Sequence, residues 1–583
     1  MNFITIIILT LTVLITVSES TLAQWNSNTA VNTLVCDENG EQSVTKMALC
    51  PDGSTYYSWF DSRSGSYAVY IQKLDVNGNI VFPAGGILVS NNPQNSSLVD
   101  WDMIADNNNN AILTFTDIRS GGSINPFAYM ISPAGTQMWG ANGVTLSDSV
   151  NSYQPNPKVV QTSDGNYVFF WLIGSGPRKL ALQKLNAAGV KQWGSSPVLW
   201  TSGTAENYDW PAMIPSDNGS VILMFSGYTG TFISPSNYKI YSQKVSSTGA
   251  RVWNASQDTV YSLGRVSGFY TPRLFPDGNN GAVYCWHDDR NSMNMTTGYV
   301  QRKNSAGVIQ FPVNGTAVSG NTSNHHFSPV AAYMNSTGET YAVWQEANSG
   351  QTQWGFYAQK MSSTGVRQWG NDGIPVQIMG SDQVGIFNIV TKDTNAIISF
   401  NQSAGSGNNV IKAAKMGPSG AFLWSGNVIT ASSISSPKIR LNSVVNSSGM
   451  SILSWQDRRL DNGGVYAQNI KADGTFGPLT GVITLNNNIP DNYILEQNYP
   501  NPFNPVTKIR YSIKQNVSVN INIFDVLGRN ISVLINTFQK AGSYEVSYDA
   551  SLLVSGVYFY RIHALGENGN LLFSDTRKMI LIK

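Results

Sequence analysis

Residues 341–376 read YAVWQEANSGQTQWGFYAQKMSSTGVRQWGNDGIPV. The stretch holds two short alternating strands, a Gly turn and a tail of Trp and Gly. Copies recur along most of the chain. Aligned on the turn glycine, they fall at Gly78, Gly135, Gly189, Gly249, Gly307, Gly365, Gly420 and Gly474. The intervals are 57, 54, 60, 58, 58, 55 and 54 residues. A steady period of this size indicates a repeat architecture. Gln72, Gln183, Gln243, Gln301, Gln359 and Gln468 each precede their glycine by six residues, with Tyr129 and Ala414 in the other two copies. An aromatic lies further upstream in every copy: Trp59, Phe115, Trp171, Phe225, Trp286, Trp344, Phe400 and Trp455.

Each copy reads as four strands. The first carries an early proline (Pro157, Pro211, Pro272, Pro329, Pro437), which suits a strand start because proline lacks a ladder N–H. The second ends at the aromatic, the third carries the Gln, and the fourth follows the Gly turn. Period-2 alternation bounded by Gly, Asn, Ser and Asp is the strand signature. Such units bury their faces by stacking radially, so the expected fold is all-β, an eight-bladed β-propeller. A linear β-solenoid is the minority alternative. The tail motif occurs once more at Gln24–Val31, so this segment and Phe476–Leu485 compete to close the ring.

Composition bounds the function. The chain has 583 residues, with 36 basic and 35 acidic side chains, net charge +1, and only 12% charged residues. This balance lacks the basic face that nucleic acid requires. Residues 1–23 read as a secretory signal peptide, with an apolar run over Ile4–Val17 and Ala23 before the cut, though without a Lys or Arg at the start. No other stretch is long and apolar enough to span a membrane. Residues 24–485 are the repeat array and 486–494 a linker. Cys36 and Cys50 can bridge in an exported protein; three unpaired buried thiols, with Cys285, is the equal alternative. No spacing of Cys or His suggests a metal site, and no cofactor motif occurs.

Residues 495–583 change character. They open on the Pro-rich YPNPFNP (Tyr499, Pro500, Asn501, Pro502, Phe503) and continue as about seven alternating strands, a small Ig-like β-sandwich. With DVLG at 525–528, SGVY at 555–558 (Gly556, Tyr558) and the terminal KMILIK (Lys578, Met579, Lys583), the segment resembles the type A C-terminal sorting domain of type IX secretion substrates. The resemblance implies a Gram-negative bacterium of the Bacteroidota and relatives. It also implies type IX machinery as partner, and a product secreted or fixed to the outer cell surface. It says nothing about activity, because such tails are attached to enzymes and adhesins alike.

The chemistry-bearing pattern is an Asp two residues after the aromatic and an Arg two further on: Asp61/Arg63, Asp117/Arg119, Asp288/Arg290 and Asp457/Arg459, with Glu346 in another copy. These can converge on a ligand, or each can cap its own blade. Repetition favours the cap, since a site is needed once. The sialidase Asp-box spacing is absent near Pro51–Trp59, and no pair of placed carboxylates for glycosidase chemistry stands out. His325 and His326 read as a surface loop. Aromatics off the repeat register, Trp101, Trp200, Trp210, Trp354 and Tyr270, are the candidates for a binding face. The expected function is a non-catalytic binding or adhesion module for polysaccharide or protein. The alternative is an extracellular glycan hydrolase using the central face.

Overall fold

A computed structural model describes residues 25–583 except 95–97, 120, 150, 202–204, 233, 264–265, 267–270, 293–294, 404–406, 461–462, 478–481, 487–489, 551–552 and 567–568. The expected signal peptide therefore lies outside the described residues, as does Tyr270. The chain divides into two compact units, Met1–Pro478 and Leu479–Lys583. All regular structure among the described residues is antiparallel strand.

The first unit contains eight four-stranded sheets among the described residues, each with its strands in sequential order from first to fourth. Sheet 1 comprises Gln42–Leu49, Thr55–Asp61, Ala68–Leu74 and Ile87–Ser90. Sheets 2 and 3 span 102–145 and 158–200. Sheet 4 comprises Asn207–Pro215, Val221–Gly230, Pro235–Val245 and Asp258–Tyr261. Sheet 5 comprises Arg273–Pro276, Ala282–Ser292, Met295–Lys303 and Thr316–Ala317. Sheet 6 comprises Asn324–Met334, Glu339–Asn348, Trp354–Met361 and Ile374–Gly380, and sheet 7 spans 387–436. Sheet 8 takes Lys438–Val445, Ser451–Asp457 and Gly464–Ile470 from the end of the array and Thr33–Cys36 from its start. The first strand of each sheet lies beside that of the next, and that of sheet 8 lies beside that of sheet 1, so the cycle closes.

Sequence left two segments in competition for the last strand position. The N-terminal segment takes it: Thr33 pairs Ala467 and Leu34 pairs Tyr466. The C-terminal competitor goes elsewhere. Phe476 packs on the core of sheet 8, but Val482–Asn486 pairs with Gly542–Asp549 of the second unit. The boundary read at residue 485 thus falls earlier, between Pro478 and Leu479, and the stretch read as linker begins inside a strand of the second unit.

The repeated Gly, Gln and tail aromatic act together, across neighbouring sheets. Four residues after every turn glycine but the last, Gly474, comes an aromatic that lies against the turn glycine of the following sheet. Trp139, Trp193, Trp253, Trp369 and Trp424 donate their indole N–H to Ala187, Ser247, Ser305, Pro418 and Ala472, at 2.9–3.1 Å. Each acceptor sits two residues before the next turn glycine. Trp25, on the closing segment, does the same to Val76 at 2.9 Å. Phe82 and Phe311 fill the two remaining positions, against Gly135 and Gly365. Only glycine fits at Gly307: its φ is +83°, and a Cβ would stand 2.8 Å from the Trp253 ring. The Gln of the third strand staples this tail to its own sheet. Gln243 Oε1 accepts from Trp253 N at 3.0 Å while its amide donates to Asn254 O at 3.0 Å. Gln468 makes the equivalent bond to Asn26 O, 2.7 Å, across the seam.

The second unit has two four-stranded antiparallel sheets whose inward side chains share one apolar core, including Ile509 and Tyr511 from one sheet and Val519 and Ile521 from the other. The Pro-rich opening is tied to the last strand. Phe503 is buried, its N–H donates to Ile580 O at 2.9 Å, and its carbonyl accepts from Ile582 N at 3.0 Å. Tyr558 and Met579 are core residues, while Tyr499 is 81% exposed. Gly556 opens the strand that carries Tyr558. Lys578 O accepts from Gln497 Nε2, 2.7 Å, and Lys583 N donates to Ser555 Oγ, 2.9 Å.

Candidate functional site

Strand direction assigns each residue to an end of its sheet. Gln42 pairs Asp61, which pairs Ala68, so the Asp–Arg pattern and the second-to-third hairpins share one end. The latching tryptophans and turn glycines occupy the other.

The Asp–Arg pattern is internal to each sheet. Asp61, Asp288 and Asp457 accept the indole N–H of Trp59, Trp286 and Trp455 at 2.7, 2.8 and 2.9 Å. Asp117 has only Phe115 before it and is held by Arg119. Each Arg pairs its Asp and then anchors the carbonyl at the entry to the fourth strand: Arg63 to Gly85, Arg119 to Asn142, Arg290 to Asn314, Arg459 to Val31. All four carboxylates are buried. As ligand contacts they are therefore corrected: every one is occupied inside its sheet. Glu346 is buried likewise, accepting from Asn324 Nδ2 at 2.7 Å and Trp344 Nε1 at 3.2 Å, and burial pushes its pKa up.

Other expectations also change. Trp200 is buried in the fourth strand of sheet 3 under the Arg251 guanidinium, so it presents no binding face. Trp101 is fully buried and donates to Val44 O at 2.8 Å, tying sheet 2 to sheet 1. Cys36 and Cys50 are unbridged and buried, as is Cys285. Cys36 lies beside Arg63 and Gly85 at one end of sheet 1, and Cys50 opens the turn at its other end. Burial pushes these thiols up to about 12 and about 11. His325 and His326 are not in a loop but on the first strand of sheet 6. Alternation sends them to opposite faces: His325 stacks on Phe327, and His326 stands edge-on to Trp344.

One sector breaks the repeat. In five sheets the second strand stops two residues past its aromatic, as Trp59 to Asp61 or Trp455 to Asp457. In three consecutive sheets it continues: Phe225 to Gly230, Trp286 to Ser292 and Trp344 to Asn348. Sheets 4, 5 and 6 thus raise a wall on one side of this end. Two aromatic pairs stand there. In sheet 4 Trp210, half-buried, lies 5.9 Å from the exposed ring of Phe232. In sheet 6 the half-buried Trp354 lies 6.1 Å from Phe327. Between them sheet 5 contributes Arg273, which is exposed. Of the sequence candidates, Trp210 and Trp354 are placed here. Arg273, Phe232 and Phe327 were missed. The signal available was the repeat interval, which is longest (60, 58 and 58) across these three copies.

His287 also stands in this sector, in sheet 5. Its ring is buried, Nδ1 accepts from Ser328 N at 2.8 Å, and desolvation lowers its pKa to about 3. A histidine buried neutral takes its proton later than the unfolded chain does. The unfolded state then binds more protons below about pH 6.5. Stability contributed by neutral His287 is full above that pH and declines as pH falls towards 3. In His287→Gln, the slope of unfolding free energy against pH between 6.5 and 4 is expected to drop by about 1.4 kcal/mol per pH unit, the weight of one proton. Chemical denaturation at several pH values measures it; an unchanged slope would mean His287 is already charged in the fold.

No group of His, Cys, Asp and Glu among the described residues is arranged to hold a metal ion. No helix of the described residues is long and apolar enough to cross a membrane.

Residues 497–572 match the secretion system C-terminal sorting domain. The chain therefore carries an export address, and its product is secreted or attached to the outer cell surface. The same tail implies an encounter with the secretion machinery. No curated protein matches. Among solved structures, an ulvan lyase of a new polysaccharide lyase family is 10% identical with a TM-score of 0.42, covering 68% of this chain and 96% of that one. The polysaccharide lyase Uly1 is 11% identical with a TM-score of 0.37, covering 78% and 94%. An arabinanase from Penicillium chrysogenum is 13% identical with a TM-score of 0.30, covering 55% and 93%. Likeness at these levels bears on neither ligand nor chemistry.

Proposed function

We propose that residues 25–478 form an eight-bladed β-propeller that binds extracellular polysaccharide without cleaving it, and that residues 479–583 form an Ig-like β-sandwich that directs its export. A signal peptide over 1–23 belongs to the same reading. The closed cycle of four-stranded sheets supports the propeller. One observation carries the binding site: three adjacent sheets abandon the repeat and flank a solvent-facing cation with aromatic pairs, each holding one half-buried Trp. Everything repeated is engaged in the scaffold; the exception is what remains open. Flat aromatic faces suit the C–H faces of sugar rings, and partly buried aromatics concentrate binding energy.

The hydrolase reading is disfavoured because the repeated carboxylates are enclosed. The test uses the full exported chain on a panel of bacterial and plant polysaccharides, scoring retention and released sugar. Trp354→Ala and Trp210→Ala are each expected to weaken retention about tenfold, a loss of roughly 1.4 kcal/mol. Release of sugar by the native chain, or undiminished retention in both variants, would overturn the proposal.

A further inference from the structure

We propose that the axis of the cycle, at its raised end, is a site for the carboxylate or sulfate groups of an acidic polysaccharide, with Arg273 as the residue that holds the anion. This rests on the polysaccharide-binding reading and adds the ligand's charge.

Register sets one residue of each first strand at a common level, opposite the residue that precedes the second-strand aromatic. Lys46 faces Ser58, Asp102 faces Thr114, Lys158 faces Phe170 and Arg273 faces Cys285. The other four sheets contribute two Asn and two apolar residues at this level. Three cations therefore meet one carboxylate in this layer. Asp100, just above it, is shared by Lys46 Nζ at 2.8 Å and Lys158 Nζ at 2.5 Å. Burial works to raise the Asp100 pKa, but the two lysines outweigh it and hold the carboxyl well below its usual range. Asp102 accepts Val159 N at 3.1 Å, and burial raises its pKa. Both carboxylates are thus engaged.

Arg273 is not. It makes no hydrogen bond or ion pair among the described residues, and it is exposed. It nevertheless lies within electrostatic reach of Asp100 and of Lys158, which come from sheets 2 and 3. Neighbouring strands strip part of its hydration while leaving it open to solvent. Lys158 and Arg273 repel each other, and an incoming anion would relieve that repulsion. A guanidinium is the side chain suited to this: always charged, weakly hydrated, and forked to match carboxylate or sulfate oxygens. The aromatic pairs of sheets 4 and 6 stand on either side of the sheet that carries it. A sugar ring on one of those faces would bring a ring substituent towards the axis, which makes the ligand an acidic polysaccharide rather than a free ion.

The experiment measures binding of the full chain to polygalacturonate, dextran sulfate and uncharged dextran. At least one polyanion is expected to bind tenfold or more tightly than dextran, with affinity falling as salt rises. Arg273→Gln is expected to lose about tenfold or more on that polyanion, and Arg273→Lys to retain part of it. Because the Arg273 side chain has no hydrogen-bond or ion-pair partner among the described residues, the melting temperature of Arg273→Gln should match the native value, so lost binding is not lost folding. Preference between polygalacturonate and dextran sulfate identifies carboxylate or sulfate. Equal binding of dextran and both polyanions, or an Arg273→Gln variant that binds the polyanion as the native chain does, overturns the inference. Retention of dextran alone overturns it while leaving the polysaccharide-binding reading intact. Retention of none of the three, with none in the wider panel, overturns both.

Discussion

Removal of residues 25–36 is expected to collapse the repeat array. The segment supplies the fourth strand of sheet 8, and its Trp25 and Val35 are 1% exposed. Truncating one buried Trp costs about 3–5 kcal/mol. Losing a ladder, a Val and the bonds of Asn32 to Gln468 and Ala431 adds several more. The sum reaches the whole stability of a typical domain, about 5–15 kcal/mol. Melting should fall steeply and protease should cut the array, whereas Trp25→Ala should leave a folded but weakened protein. Supplying residues 25–36 as a peptide should restore part of the lost protection. A truncated chain that melts with the intact one would show that the seam bears no load. The bond from Asn32 to Gln468 spans 436 residues, so this seam joins the two ends of the array directly.

The second large effect is expected at Asp288. Its carboxylate takes the Trp286 indole N–H, the Arg290 backbone N–H at 3.0 Å and the Arg290 guanidinium at 2.6 Å. Arg290 in turn holds Asn314 O at 2.8 Å and lies 3.6 Å from the centre of the Tyr299 ring. Asp288→Ala leaves a largely enclosed guanidinium without its counter-ion and an indole N–H without its acceptor, a loss of about 3 kcal/mol. The pair Asp525–Arg529 is the control, since Arg529 is 73% exposed and solvent screens such a pair, so its loss should be small. Urea denaturation of both variants measures the contrast. At a temperature where Asp288→Ala remains folded, its ligand affinity should stay near native. A large loss of binding without loss of stability would return these acids to the ligand.

The period, the four-strand unit and the extra tail at the N-terminus were legible because spacing survives without structure. What the Gly and Trp do was not legible, because their partners lie about a full repeat away: Trp253 explains Gly307, and neither is near the other in sequence. His325 and His326 were misread for a different reason. Their Asn and Ser neighbours carry loop composition, yet the strand is lengthened here and both its faces are covered. Trp200 looked off register only because the fourth strand is the least regular of the four. Arg273 carries no motif at all. It is marked by what it lacks among the described residues, a partner, and only the folded structure reveals that.

The latches and the raised wall sit at opposite ends of the same strands. Natural variation therefore meets two different constraints within one repeat. At the latched end, lengthening a turn by a residue would pull an indole off its carbonyl and disturb two sheets at once. At the other end, a hairpin can gain or lose residues and change only what the ring presents outward. Chains sharing this scaffold can thus diverge in what they hold by recutting three hairpins, while the spacing of their glycines and tryptophans stays put.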